Sequence, residues 1–435
     1  MTRSSRSFRT VTAVTVAALG LLATSCGSGD GSTDTASDGK PVTIDYWTWT
    51  LGAKSTVDAF NKTHRDIKVR FTEIPSGTEG YSKLANAVRA GNAPDVATIE
   101  YQMVPEFASQ GNLIDLTKYA GDTVETKFPK PVQSLVIFGG RTWTVPYDVA
   151  PQLLYYRTDL FKKYGITVPK TWAEFRRAAE KVEQRDTSVR LASIPKNDPA
   201  LLAALAWQAG GKWFGTQGDA WRTGVDDAAT RKVTAYWDGL VEDGLVQTFT
   251  GYSPEETKAR AQGKTLAFLG ASWSAGGMKT ALPDLKGKWA AAPMPDWGTP
   301  AAGNYGGTSY GVLKGSDHAE AATEFITWLT TDKAGVEARL ADLRSPSSAL
   351  PAAPGMRAVA AAKFDTAYFN GQDLYALASR QADTILPGWT WGPDQMDVYT
   401  AIQDTTAKSG FTAGVEAGQD KARSGITDRG LKLAQ

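Results

Sequence analysis

The chain has 435 residues, 42% of them hydrophobic, which is enough for large cores and, at this length, for two domains or more. A formal charge of +1 with no basic run excludes the electrostatic footprint of a nucleic-acid binder. A single cysteine excludes an internal disulfide, and 43 glycines, 21 prolines and 14 tryptophans fit an α/β protein with many turns and an aromatic-lined surface.

Arg3, Arg6 and Arg9 precede the apolar run Val11–Ala23, which is too short for an ordinary transmembrane helix and is followed by the small residues Thr24 and Ser25. The arrangement resembles the lipobox of bacterial lipoproteins, with Cys26 as the residue that receives lipid and becomes the new N-terminus. The pattern usually has leucine three places before the cysteine; here Ala23 stands there and Leu22 lies one further back. Residues 1–25 are therefore expected to be a lipoprotein signal peptide and 26–40 a flexible tether, because Gly27–Lys40 is small, polar and glycine-rich. Loss of three arginines takes the formal side-chain charge from +1 to −2. No later apolar run approaches the roughly 18 residues that a membrane span needs.

Val42–Trp49 alternates as a strand, Lys54–His64 has a helical pattern, Ile67–Phe71 is a strand and Tyr81–Ala90 a helix. The strand Ala93–Glu100 and the helix Met103–Gln110 follow. Strands and helices alternating over short links predict a mostly parallel sheet, with ligand at the carboxyl ends of its strands. Those ends carry Trp47 and Trp49, then Glu100 and Tyr101. Arg141–Phe161 reads as a strand run broken at Pro146-Tyr147-Asp148 and again at Pro151, and is expected to cross between two lobes with Asp148 facing the space between them.

A second α/β unit follows. Thr171 and Glu174 form a capping-box pattern ahead of a helix to Glu183, Leu191–Pro195 is a short strand, and Pro199–Ala209 is an alanine-rich helix carrying Trp207. Helices over Asp227–Glu242 and Thr257–Gln262 lead into the strand Thr265–Leu269, with Trp273 beyond its carboxyl end. Trp289–Pro295 is extended. The glycine-rich stretch Gly303–Ser309 lacks the phosphate-binding G-x-x-x-x-G-K-[ST] pattern and precedes a strand, Tyr310–Leu313, which suits close backbone approach to a neutral ligand or a crossing point. Ala319–Leu329 is an amphipathic helix and Ser345–Gly355 a proline-rich candidate crossing. Helical segments over Arg357–Phe369 and Asp373–Ala382 precede Pro387–Gln395, an aromatic loop that does not look like core. Asp394–Thr406 closes the fold as a helix and Ile426–Leu433 is a weakly patterned tail.

Catalytic signatures are missing. His64 and His318 lie far apart in polar helix-end contexts and belong to no ligand-spaced group, so no metal or cofactor is expected. What stands out is tryptophan and tyrosine placed at turns beside small polar residues: Trp47, Trp49, Tyr101, Tyr147, Trp273, Tyr305, Trp389 and Trp391. A sugar ring has a C–H face that suits an aromatic plane and an edge of hydroxyls that suits carboxylates and amides. No arginine occurs in these loops to pair with an amino-acid carboxylate.

Five stretches carry a resemblance to a known family: VTIDYWTW (42–49), residues 93–117, VPYDVAPQLLYYRTDLFKKYGITVPKTWAEF (145–175), GKTLAFLGASW (263–273) and residues 306–330. In this order they resemble the family 1 extracellular solute-binding proteins, the sugar-binding lipoproteins of ABC importers, similar to the maltose-binding group. The resemblance implies an α/β, two-lobed periplasmic-binding-protein-like (type II) fold that closes on ligand about a hinge of several chain crossings. Lobe 1 would hold 41–147 and 308–343, lobe 2 would hold 151–300 and 350–435, and the crossings would be 148–150, 301–307 and 344–349. The ligand-binding set it implies is Trp47, Trp49, Glu100, Tyr101, Asp148, Trp207, Trp273, Gly307, Thr308, Ser309, Trp389 and Trp391. The partners implied are a neutral mono- or oligosaccharide and ABC permease subunits with a separate ATPase. The protein would be a monomer at the extracellular face of the cell membrane, anchored through Cys26, with no cofactor and no catalysis. Three other readings stay open at this point. A binder of polyamine, peptide or polyol phosphate would show excess acid or a charge pair in its cleft. A secreted glycoside hydrolase would show two facing carboxylates. A surface adhesin would need no closable cleft.

Overall fold

The computed structural model describes residues 41–341 and 347–434. The expected signal peptide and tether with Cys26, and residues 342–346, which include the start of the third expected crossing, lie outside the described residues.

Two sheets organise the chain. The first has the strand order 67–73, 42–48, 96–100, 308–312, 145–146. Its first three strands pair in parallel, as the alternation of strands and helices predicts, with Trp47 opposite both Thr72 and Ala97. Strand Val42–Thr48 buries Ile44, Tyr46 and Thr48 on one face, whereas Val96–Ile99 in the sheet centre is buried throughout. Thr308–Val312 then joins antiparallel to Val96–Glu100 and to Val145–Pro146. The second sheet runs 289–293, 152–157, 265–271, 190–193. Only its pair 265–271 with 190–193 is parallel. Strand Gln152–Arg157 enters straight from a crossing, not over a helix, and so runs against both of its neighbours.

Chain therefore passes between the sheets at residues 147–151 and again at 294–307, and the segment 347–351 lies beside the first passage. Hydrogen bonds lace these segments together. Asn304 is buried and bridges within and between them: its Oδ1 accepts from Ala150 N at 2.8 Å and its Nδ2 donates to Gly306 O at 2.7 Å. Tyr305 N donates to Ala150 O at 2.8 Å, and Leu350 and Pro351 pair with Val149 and Asp148. Tyr147 and Ser347 hydroxyls meet at 3.1 Å.

Helix Trp172–Arg185 starts on its expected cap: Thr171 Oγ1 accepts from Glu174 N at 3.2 Å. The reciprocal bond goes one residue earlier than a standard capping box, with Lys170 N donating to Glu174 Oε2 at 2.7 Å.

Two expectations are corrected. Helix Gln395–Ser409 does not close the fold, and Ile426–Leu433 is not a tail: an 18-residue helix, Phe411–Asp428, packs back along it and a short strand Lys432–Leu433 follows. This helix carries Gly414, Gly418 and Gly425 on the face it turns to its neighbour, where a Cβ would sit 2.6 Å from Ile402 Cγ1 or on the Asp394 carboxylate. The glycines that let the two helices touch are poor helix formers, which hides the helix in the sequence. The aromatic loop at Pro387–Gln395 is also core after all. Trp389 and Trp391 are 3% and 4% exposed, and Trp389 stacks flat on Trp207 at 4.9 Å and 5°.

Candidate functional site

A cavity of about 470 Å³ opens where the two sheets and the crossing segments meet. Three parts of the fold supply its wall. Trp49, Thr50 and Leu51 leave the first strand, Ser76 and Gly77 begin a helix, and Glu100 ends the strand 96–100. From the second sheet come Asp198 and Ala200 at a helix start, Tyr252, and Trp273 beyond strand 265–271. The crossings add Tyr147, Asp148, Tyr305–Thr308 and Ser347–Ala349. Strand ends gather here because an α/β sheet leaves its crevice at the carboxyl edge.

Asp148 is 4% exposed, and its carboxylate ties the first crossing to the start of strand Thr308–Val312: Oδ1 accepts from Thr308 N at 2.7 Å and from Thr308 Oγ1 at 3.0 Å. Its backbone carbonyl accepts from the Tyr101 hydroxyl at 2.8 Å. Asp148 Oδ2 accepts no hydrogen bond from the described residues. Burial pushes the Asp148 carboxyl up to about 6, the Thr308 bonds pulling only partly the other way. Glu100 is likewise pushed up to about 6 by burial, with Asp148 and Asp198 as neighbouring charges acting in the same direction. Tyr81 orients it: the Tyr81 hydroxyl accepts from Glu100 N and donates to Glu100 Oε2, both at 2.9 Å, while its ring meets Trp49 edge-on at 5.5 Å. Asp198 caps its helix through Oδ1, which accepts from Leu201 N at 2.9 Å, and its Oδ2 accepts from the Tyr305 hydroxyl. Burial raises its carboxyl too.

The aromatic wall is built as a relay. Trp273 Nε1 donates to Tyr305 O at 3.0 Å, and the two rings lie 5.3 Å apart. Tyr305 in turn receives the Tyr252 hydroxyl at 3.0 Å. Tyr252 is 59% exposed and sits at φ +60°, a left-handed conformation uncommon for an aromatic residue; Glu256 Oε2 holds its backbone N–H at 2.9 Å.

Of the residues expected from the sequence, Trp49, Glu100, Asp148, Trp273, Gly307 and Thr308 line this cavity together. The others do not. Trp47 packs beneath Lys83, whose Nζ lies 5.0 Å from the ring centre. Tyr101 is fully buried under Gly307. Ser309 Oγ donates to Ile99 O at 2.8 Å inside the first sheet. Trp207 donates to Leu386 O at 2.6 Å, and with Trp389 and Trp391 belongs to the tryptophan cluster described above. Asp198, Tyr252, Ser347 and Ser348 also line the cavity and stand outside the set expected from the sequence. Asp198 was legible in principle: Asn197-Asp198-Pro199 is a helix start at the carboxyl side of strand Arg190–Ser193, the same placement that marked Trp273. Tyr252 has no such signal beyond the Gly251 before it and the Ser253 cap after it.

The raised Asp148 carboxyl has a consequence for stability. Its folded pKa of about 6 exceeds its unfolded value near 3.8, so the folded state binds the proton more tightly. Its contribution is complete below about pH 4 and is lost as pH rises through 6. The ligand-free wild type should therefore lose stability relative to Asp148→Asn between pH 4.5 and pH 7.5, by on the order of 2 kcal/mol. Paired urea melts across that range check it, and a constant difference between the two proteins would refute it.

Residues 47–336 match the family model of the bacterial extracellular solute-binding proteins. The arabinooligosaccharide-binding protein of Bacillus subtilis (strain 168) is 26% identical over 291 residues, which cover 64% of this chain and 66% of that protein. The lactose-binding protein of Rhizobium radiobacter is 26% identical over 316 residues, 67% of this chain and 71% of its own. The match thus spans about two thirds of the length of these relatives. Among solved structures, the ABC transporter associated binding protein from B. animalis subsp. lactis Bl-04, in complex with beta-1,6-galactobiose, superimposes with a TM-score of 0.79 at 27% identity, covering 91% of this chain and all of that one. The galacto-N-biose-/lacto-N-biose I-binding protein of Bifidobacterium longum gives a TM-score of 0.81 and covers 92% of this chain and 100% of its own; at 24% identity this is a likeness of fold.

Proposed function

The chain belongs to the bacterial extracellular solute-binding proteins, and from that premise we propose that it captures a carbohydrate between two closing lobes and delivers it to the permeases of an ABC importer. The observation that carries this reading is the cavity wall itself. Trp49, Tyr252, Trp273 and Tyr305 offer ring faces, while Asp148, Glu100, Thr308 and Ser347 offer hydroxyl partners, all at one meeting point of strand ends and crossings. Relatives described as binding arabinooligosaccharide, lactose and β-1,6-galactobiose support the same class of ligand.

In this reading residues 41–147 with 308–343 form one lobe and 151–300 with 350–435 the other. The Asp148–Thr308 bond joins the first crossing to the start of strand 308–312 and the Tyr147–Ser347 bond joins it to the segment 347–351, so bending there carries one sheet toward the other. Trp273 stacks on a pyranose and Asp148 Oδ2 accepts from its hydroxyls. The lipid on Cys26 and the tether hold the binding head, a monomer, beside the importer. A polyol phosphate fits less well, because no lysine, arginine or histidine among the described residues lines the cavity. Hydrolysis fits less well too: both oxygens of Asp198 and one of Asp148 are already committed to protein donors.

Calorimetry of the full chain against neutral mono- and oligosaccharides tests the reading. Saturable binding of one sugar without turnover is the expected result; turnover, or binding of a non-sugar solute alone, would overturn it.

A further inference from the structure

Three carboxylates, Glu100, Asp148 and Asp198, line one cavity with no basic residue beside them among the described residues. None of the three belongs to an ion pair of the described residues, and every hydrogen bond that the described residues make to their side chains comes from a neutral donor, namely Tyr81, Thr308, Leu201 N and Tyr305. The buried cation Arg339 acts on the Asp148 carboxyl as a through-space charge that lowers its pKa, but makes no ion pair with it. It lies under the Tyr147 ring, its Cζ 4.5 Å from the ring centre, and donates to Ala349 O. Asp148, nine-tenths buried and more, receives no hydrogen bond on Oδ2 from the described residues where the side chain lines the cavity.

Neutral hydroxyls would satisfy these oxygens as hydrogen-bond acceptors but would leave three like charges facing one another in a partly dry cleft. A cation between them removes that repulsion, and the faces of Trp273, Tyr305, Tyr252 and Trp49 are themselves electron-rich surfaces that attract one. We propose that the carbohydrate this site takes carries a protonated amine, as an amino sugar unit whose nitrogen is not acylated, held by Asp148 and Glu100. The proposal rests on the carbohydrate reading above and narrows it.

The test is calorimetry of the full chain at pH 7 with matched sets in the gluco and galacto configurations: the neutral hexose, the N-acetylhexosamine and the free hexosamine, each as monomer and β-linked dimer, with spermidine as the amine that is not a sugar. The free-amine member should bind at least tenfold tighter than its neutral and N-acetyl counterparts. Glu100→Gln and Asp148→Asn, which keep shape and remove one charge each, should each shrink that advantage severalfold. A neutral or N-acetylated member binding as tightly as the free amine overturns the amine proposal and leaves the carbohydrate reading standing. Spermidine binding with no sugar bound overturns both. The comparison among ligands is made on the wild type, so it does not depend on either variant folding.

Discussion

Replacing Trp273 by alanine is expected to weaken sugar binding by roughly sixtyfold while leaving the fold intact. A pyranose face covering about 100 Å² of indole, at roughly 25 cal/mol per Å², accounts for about 2.5 kcal/mol, and each 1.4 kcal/mol is a factor of ten. Trp273 is only half-buried and its side chain makes one hydrogen bond, to Tyr305 O, so little of the core depends on that side chain. Asp148→Ala acts by another route. It removes an acceptor from the ligand and leaves Thr308 N without its partner, a loss of about 1.5–3 kcal/mol or tenfold and more in affinity. Titration calorimetry of both variants on the best sugar of the panel, with thermal melts alongside, separates binding from folding. Wild-type affinity in both would remove Trp273 and Asp148 from the site.

Much of this architecture can be read before any coordinates. Alternation places the strands at 42–48, 67–73 and 96–100 to within a few residues, because each is half-buried or central and β-branched or aromatic along its buried positions. Breaks at Pro146 and Pro151 mark the run that leaves the first sheet and enters the second. What escapes is tertiary. The direction of Thr308–Val312 against Val96–Glu100 depends on which sheet the chain has just left, and no local pattern encodes that. Helix Phe411–Asp428 escapes because close packing demands glycine where propensity demands anything else.

For the site the lesson is about which tryptophans face the cleft. Trp49, Trp273, Trp389 and Trp391 all sit at turns beside glycine or small polar residues. Trp273 keeps an open face because Tyr305 O, at the cavity edge, takes its N–H. Trp389 has Trp207 flat against it and Trp213 tilted at 5.6 Å, so its neighbours consume the faces a sugar would need. That difference is made by residues about 180 positions away in the chain, which is why turn chemistry alone finds both and ranks neither. Acidic residues behave the same way: Asp148 announces itself between two prolines, whereas Asp198 looks like an ordinary helix cap and becomes a cavity residue only through Tyr305.

The crossing loop should be the most sensitive backbone in the molecule, and Gly307→Ala is the substitution that exposes it. Gly307 sits at φ +89°, and a Cβ there would lie 2.9 Å from the Tyr101 ring and 3.0 Å from Asn304 Nδ2. Tyr101 cannot retreat: it is fully buried, its N–H donates to Gly307 O at 3.1 Å and its hydroxyl to Asp148 O. Left-handed strain of about 1–2 kcal/mol and overpacking of about 1–3 kcal/mol together predict about 2–5 kcal/mol of lost stability. The next amide is Thr308 N, the donor that fixes Asp148, so sugar affinity should fall at least tenfold with it. Gly306→Ala provides the comparison, since Gly306 has φ +79° but its nearest neighbour for a Cβ is Trp273 Nε1 at 3.8 Å, an ordinary contact. It pays the backbone strain alone and should keep Asp148 in place. Denaturant melts and sugar titrations of the two variants give the answer: if they lose equal stability and equal affinity, contact between Gly307 and Tyr101 does not hold the crossing in register. If Gly307→Ala loses distinctly more of both, the tyrosine expected from the sequence to touch ligand acts instead as the floor that sets the position of Asp148.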